Sequence, residues 1–105
     1  MSHWLVLMVA VVTEICWALS LKYVQQHPSF LVATGSVLLS FVNMGLLSFS
    51  MRGLPAGTAY AVWTGLGAIG VGIGGAIWFH DPVTPARIAS MGLIVMGVIG
   101  MKFCT

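Results

Sequence analysis

The chain has 105 residues, of which 59% are hydrophobic and only 6% are charged. A soluble domain carries about 25% charged residues, and four Lys/Arg, two Asp/Glu and three His cannot cover the surface of one. The composition therefore predicts an integral membrane protein, and it excludes nucleic-acid binding and soluble catalysis.

Four hydrophobic stretches lie along the chain and use nearly all of it. Crossing a hydrocarbon core about 30 Å thick takes roughly 20 apolar residues, so the sequence predicts an all-α membrane protein with one domain over residues 1–105. Turn-forming residues separate the stretches; Pro55 and Pro85 suit the first turn of a helix, and Thr84 suits an N-cap. The predicted helices run from Trp4 to Leu21, from Phe30 to Met51, from Ala56 to Phe79 and from Ala86 to Met101.

The first stretch is expected to be a retained helix, and the two cysteines are expected to stay unpaired. The first stretch has no basic segment before it and no small-residue cleavage motif after it, which favours a retained helix over a signal peptide. Cys16 and Cys104 fall at different predicted depths and have no metal-ligand spacing. We therefore expect no disulfide, no metal and no cofactor.

The basic residues do not choose an orientation for the chain in the membrane. With four spans, Arg52 and Lys102 lie on one side, whereas Lys22 and Arg87 lie on the other. The positive-inside rule then favours neither orientation, and either another cue decides or copies insert both ways up. We favour dual topology, in which two oppositely inserted copies form an antiparallel dimer with the symmetry of inverted-repeat transporters.

Glu14 is the residue that points most directly to function. It lies about ten residues into the first predicted helix, hence ~15 Å deep at 1.5 Å per residue, near the midplane. A charge there costs at least ~2.5–3.5 kcal/mol on insertion scales, and such residues usually line a pathway or a site. A protonated, purely structural Glu14 is the alternative. We favour a carboxylate that exchanges a proton for a cation.

Polar and aromatic residues at helical spacing accompany Glu14. Trp17, one turn further on, either donates its indole N–H to the carboxylate, faces a cation or simply packs. Asn43 is the most polar group on a stripe of the second helix, where a hydrogen bond to the site is favoured over interhelical contact alone. Tyr60 and Trp63 share a face of the third helix and supply π-faces for an organic cation, although Tyr60 also suits an interfacial aromatic belt.

Small residues dominate the remaining helix faces. The third helix is rich in glycine, including Gly65, Gly67 and Gly70, which permits close packing, bending or both. A bendable helix suits alternating access. Ser90 and Gly97 lie on one face of the fourth helix, which predicts a contact between subunits.

These residues together resemble the small multidrug resistance family over essentially the whole chain. The resemblance rests on four spans in about a hundred residues, on Glu14, and on the run Gly-Thr-Ala-Tyr-Ala-Val-Trp-Thr-Gly at 57–65. The segments Glu-Ile-Cys-Trp-Ala at 14–18 and Leu-Lys-Tyr at 21–23 look like the guanidinium-exporter branch, because the quaternary-ammonium branch usually has Gly in place of Trp17.

The resemblance implies an antiparallel dimer in the bacterial inner membrane that exchanges protons for guanidinium-type cations. Glu14 corresponds to the family's central Glu, which binds either ligand. The aromatic residues that line the family's site correspond to Trp17, Tyr60 and Trp63, and the family associates the position of Tyr60 with coupling between subunits.

Two departures from the family pattern keep alternatives open. Asn43 stands where the family normally has Ser, and the third loop reads His-Asp-Pro-Val at 80–83, where the guanidinium branch commonly has Glu. A similar loop occurs in members that form heterodimers, so one half of a heterodimeric pair is an alternative to a homodimer. A quaternary-ammonium or broader multidrug exporter, a proton-translocating subunit of a larger complex and a membrane scaffold are the other interpretations.

Overall fold

The computed structural model describes residues 2–104, and these form four α-helices that are each long and apolar enough to cross a membrane. Three short connections join them, at residues 27–29, 51–55 and 79–84. The helices are α1 (His3–Gln26), α2 (Phe30–Ser50), α3 (Ala56–Trp78) and α4 (Pro85–Phe103).

Helix α1 is longer than its hydrophobic stretch predicts, since it continues past Leu21 to Gln26. Lys and Gln are good helix formers, so the helix continues beyond the end of the hydrophobic stretch. It ends at His27, whose backbone N–H donates to the Tyr23 carbonyl at 2.8 Å. The residue before a proline is disfavoured in helical conformation. Pro28 therefore ends α1 at a position that hydropathy alone does not predict.

The predicted N-cap at Thr84 is confirmed. Its hydroxyl accepts a hydrogen bond from the Arg87 backbone N–H at 3.2 Å, and Pro85 is the first residue of α4. Ser29 caps α2 in the same way through the Val32 N–H at 3.5 Å. Pro55, in contrast, occupies the N-cap position of α3 just before the first turn.

The helices form a thin layer rather than a closed bundle. Helix α1 packs against α2 and α3, and α4 packs against the other side of α3. The Cα atoms extend over 42 × 35 × 17 Å, so the shortest dimension is less than half of either of the other two. Its apolar core comes from α1, α2, α3 and the turn before α3: Leu7, Ala10, Val11, Leu47, Leu54, Ala59, Val62 and Trp63.

Several glycines of α3 lie where neighbouring helices approach it closely. A Cβ at Gly65 would meet Val98 of α4, one at Gly67 would meet Glu14, and one at Gly70 would meet Ile15 of α1. The close packing predicted for these glycines is therefore present in the structure. The bending predicted for them remains a prediction.

Side chains join the connections at each end of the layer. At one end the His3 ring stacks on Phe49 with centroids 5.8 Å apart, and the Lys102 ammonium lies 5.4 Å from the centroid of the Trp4 ring. At the other end Lys22 Nζ and Asp81 Oδ1 form an ion pair at 2.6 Å. The first and third connections thus share one end, and the second connection shares the other with the chain termini.

Candidate functional site

A chain of hydrogen bonds links Glu14 to the two helices beside it. The Asn43 side-chain amide donates to Glu14 Oε2 at 3.4 Å, and the Trp63 indole N–H donates to Asn43 Oδ1 at 3.1 Å. The Asn43 side chain is fully buried. One amide therefore orients both partners, using its donor for the carboxylate and its acceptor for the indole.

The polar stripe of α2 faces the protein interior and brings Asn43 to this position. The buried residues of α2 lie along this stripe, and they are Ser36, Asn43, Leu47 and Ser50. One end of the stripe is fixed by the hydroxyls of Ser20 and Ser36, which lie 2.8 Å apart and join α1 to α2. Because lipid offers no competing hydrogen-bond partners, such pairs hold helices together in a membrane.

Gly67 creates the space that the Glu14 side chain occupies. A Cβ at position 67 would lie 2.7 Å from Glu14 Cγ, a separation that non-bonded carbon atoms do not reach. Any larger residue must push the Glu14 side chain away or separate α1 from α3. The absence of a side chain at Gly67 is thus part of what positions the carboxylate.

Glu14 and Trp63 line an open cavity of about 450 Å³. This size falls within the range of pockets that hold small organic molecules. The remaining lining residues come from α3, from the α3–α4 connection and from the first turn of α4: Thr64, Gly67, Ala68, Val71, Gly72, Asp81 and Arg87.

Tyr60 packs beside Trp63 but is not part of the lining of the Glu14 cavity. Its ring centroid lies 5.5 Å from that of Trp63, with the ring planes tilted by 39°. The residue is 54% exposed, and its backbone carbonyl accepts a hydrogen bond from the Thr64 hydroxyl. The two rings stand side by side, and most of Tyr60 is left uncovered by its own chain.

Trp17 is the predicted site residue that the structure does not join to the others. Within residues 2–104 its indole makes no hydrogen bond to Glu14, and it is absent from the lining of the Glu14 cavity. It lies one turn along α1, half-buried. Its role toward a ligand remains a prediction.

Two charged residues in the Glu14 cavity were not expected from the sequence. Asp81 pairs with Lys22, and its carboxylate lies directly over Gly75, where a Cβ would collide with it. His80 turns the chain into place with φ of 57°, a conformation uncommon outside glycine. Arg87 donates to the Pro82 carbonyl at 2.5 Å. The turn sequence and Gly75 were the available signals, but neither indicates which cavity the loop faces.

Ser90 and Gly97 lie on α4, away from Glu14. The Ser90 hydroxyl donates to the Ala86 carbonyl at 2.9 Å, and no neighbouring atom would lie within 4 Å of a Cβ at Gly97. Helix α4 contributes no buried residue to the described chain. The dimer contact predicted for Ser90 and Gly97 remains a prediction.

Four membrane-crossing helices with a carboxylate at the wall of an open cavity define a small multi-pass membrane protein. Residues 2–94 match the family described as "Small Multidrug Resistance protein", and the chain belongs to this family.

Its relatives include the guanidinium exporters of Citrobacter freundii and Salmonella typhimurium, each 43% identical over 102 residues, and that of Escherichia coli (strain K12), 42% identical. Each match covers 97% of both chains. The family, the bacterial relatives and the four spans make this chain a multi-pass protein of the bacterial inner membrane.

Proposed function

We propose that this protein is a proton-coupled antiporter that exports guanidinium-type cations across the inner membrane, and that Glu14 binds proton and cation in turn. The observation that carries the proposal is the Glu14–Asn43–Trp63 hydrogen-bond chain at the wall of an open cavity. Full-length similarity to proteins named guanidinium exporter supports the same substrate class. The proposed activity is transport, with no chemical conversion of the cation.

The groups around the cavity suit a planar organic cation. Guanidinium presents N–H donors in one plane, which pair with a carboxylate through two parallel hydrogen bonds. Among residues 2–104, Asn43 is the one side chain that donates to the Glu14 carboxylate, and it uses Oε2. The rings of Trp63 and Tyr60 add π-faces that attract a cation.

Competition for a single carboxylate explains coupling. A charge held at membrane depth is costly, so a proton or a cation that neutralises Glu14 lowers that cost, and each ligand excludes the other. Mutual exclusion is a negative coupling between two binding events. An inward proton gradient then drives the cation outward when each loaded form can change the face to which the cavity opens.

The proposed working unit is an antiparallel homodimer of oppositely inserted copies. The layer is thin, its cavity is open, and Tyr60 is exposed next to Trp63, which lines the cavity. Helix α4 is left without a buried residue, and the basic residues divide equally between the two ends. A second copy would cover the cavity and one face of α4 together, with Ser90 and Gly97 as predicted contacts.

The experiment compares two variants that each turn a carboxylate into an amide. Purified protein is reconstituted into liposomes that contain a pH-sensitive dye, and a guanidinium gradient is applied. Glu14→Gln should abolish guanidinium-driven proton flux because it can bind neither ligand as a charge partner. Asp81→Asn is the comparison within the same cavity. Its carboxylate is already neutralised by Lys22, so the variant should retain coupled flux, and its loss would contradict the assignment of coupling to Glu14.

Circular dichroism establishes that both variants keep their helices. Coupled guanidinium–proton exchange by Glu14→Gln would contradict the mechanism. Transport of tetraethylammonium as fast as guanidinium and methylguanidinium would contradict the substrate class, and would indicate a broader multidrug exporter instead.

A further inference from the structure

A second cavity, unrelated to Glu14, lies on the outer face of α3 at the end that carries the chain termini. It is an apolar groove of about 360 Å³ between α1, α3 and α4, with a basic residue at its rim. We define the anchor groove by its lining residues: Trp4, Leu5, Met8, Val62, Leu66, Val98, Ile99 and Lys102.

Lys102 is the only charged side chain in this lining. Its ammonium lies 5.4 Å from the centroid of the Trp4 ring, and among residues 2–104 it forms no ion pair and no hydrogen bond to an oxygen. At the opposite end of the layer, Lys22 is paired with Asp81 and Arg87 bonds a carbonyl. Lys102 thus keeps its charge available for a ligand.

The position of Lys102 along α4 places it at the edge of the hydrocarbon. Helix α4 has 19 residues, which corresponds to ~28 Å at 1.5 Å per residue, close to the thickness of a bilayer core. Lys102 stands in its last turn, and Trp and Lys prefer this headgroup level. The apolar lining of the anchor groove then extends from this level toward the membrane interior.

The surrounding charge also selects the ligand. No acidic side chain of the described residues lies at this end of the layer to compete for Lys102, because Glu14 is mid-helix and Asp81 is at the opposite end. A basic rim above an aliphatic groove is complementary to a negatively charged headgroup that carries an acyl chain.

The anchor groove lies on a different side of α4 from the predicted dimer contact. At 3.6 residues per turn, Lys102 is roughly a third of a turn or more around the helix from both Ser90 and Gly97. A partner copy that packs on Ser90 and Gly97 therefore leaves the Lys102 side of the groove open to lipid.

We propose that the anchor groove is a binding site for one anionic phospholipid, with its phosphate on Lys102 and an acyl chain between α1, α3 and α4. The proposal does not depend on the transported substrate. In an antiparallel dimer, the two copies would each hold such a lipid in opposite leaflets.

The test measures lipid binding to purified full-length protein by native mass spectrometry. The probes are phosphatidylglycerol and phosphatidylcholine with identical acyl chains, added to protein in neutral detergent. We expect phosphatidylglycerol to bind about fivefold more tightly, the size expected for one basic residue beside an anionic headgroup. Lys102→Gln should remove this preference. Arg52→Gln, which removes the same charge at the same end but outside the groove, should keep it.

A second pair of variants tests the groove itself. Met8→Trp fills it and should weaken binding of both lipids, whereas Val42→Trp adds the same bulk on an exposed face of α2 and should not. Glycerol phosphate, a headgroup without chains, should fail to compete. Four results would each overturn the proposal. The first two are equal affinity for the two lipids and equal losses of the preference in Lys102→Gln and Arg52→Gln. The other two are full competition by glycerol phosphate and, in Met8→Trp, a change of oligomeric state without a change in lipid binding.

Discussion

Helices α1, α2 and α3 differ from α4 in what they bury. The first three contain the fully buried Asn43, the buried ring of Trp63 and nearly all of the apolar core. Helix α4 packs against α3, yet none of its residues is buried in the described chain. The first three helices therefore bury polar side chains within one chain, whereas α4 presents surfaces that the described chain leaves uncovered.

The two regions also use glycine differently. Gly67, Gly70 and Gly74 of α3 each face a side chain of α1 so closely that a Cβ would collide with it. Gly92, Gly97 and Gly100 of α4 would have no neighbour within 4 Å of an added Cβ. The α3 glycines permit close contacts with α1 inside the chain. The α4 glycines make no such contact in their own chain and are available for contact with another molecule.

The largest expected effect comes from filling the space at Gly67. Gly67→Leu should abolish guanidinium transport in liposomes, because its side chain must displace the Glu14 carboxylate or separate α1 from α3, and overpacking costs about 1–3 kcal/mol. Gly92→Leu adds the same side chain where no atom of its own chain would meet its Cβ, more than a third of a turn around α4 from both Ser90 and Gly97, and should retain transport in the same assay. Equal losses in both variants would remove the distinction between α3 and α4.

A smaller loss, about tenfold in transport rate, is expected for Asn43→Ala. The variant leaves Glu14 without its donor and the Trp63 N–H without its acceptor, and an unsatisfied buried polar group costs about 1–3 kcal/mol. Asn43→Ser restores a hydroxyl donor near Glu14 and should recover most of the rate. An alanine variant as fast as the original protein would show that the hydrogen-bond chain is dispensable.

On α4 we expect Gly97→Leu to weaken dimerisation severalfold, as measured by chemical cross-linking across a dilution series in detergent. The side chain projects from a face with no partner in its own chain, so helix content by circular dichroism should stay unchanged. Gly45→Leu, at an equally open position on α2, is the control. Undiminished cross-linking of Gly97→Leu would place the subunit contact elsewhere.

The smallest effect belongs to the Lys22–Asp81 ion pair. The side chains are 45% and 28% exposed, and pairs in such surroundings contribute about 0–1 kcal/mol. A double-mutant cycle with Lys22→Gln and Asp81→Asn, followed by thermal unfolding in detergent, should give a coupling energy below about 1 kcal/mol that falls further in high salt. A coupling well above this value would indicate a structural role for the pair comparable to that of the α1–α3 interior.

Helix positions were predicted from hydropathy with errors confined to the ends. Helix α1 runs to Gln26 because polar residues continue a helix beyond the membrane until a proline approaches, and α4 likewise continues past its apolar stretch, to Phe103. Glu14, Asn43, Tyr60 and Trp63 were chosen by polarity and aromaticity at predicted depth. The hydrogen-bond order among them was not predictable, because it depends on how far each helix is rotated toward its neighbours.

The charged loop residues show more clearly which features of the site the sequence does not predict. Asp81 and Arg87 were assigned to the third loop, but the sequence does not tell that the loop folds back over Gly75 and lines the Glu14 cavity. Trp17 shows the opposite case, since it shares the Glu14 face of α1, yet within residues 2–104 its indole makes no hydrogen bond to the carboxylate. Side-chain direction follows from helix packing, and packing is not encoded in the spacing along one helix.

The sequence by itself determined the class of this protein. A chain with so few charges can be stable only in lipid, and lipid permits only internally hydrogen-bonded helices or closed barrels, so four apolar stretches predict four helices with one costly carboxylate among them. Only the tertiary structure decided what that carboxylate contacts. Asn43 reaches both Glu14 and Trp63 because Gly67 lets α3 approach α1, and that approach is a property of the packed helices together.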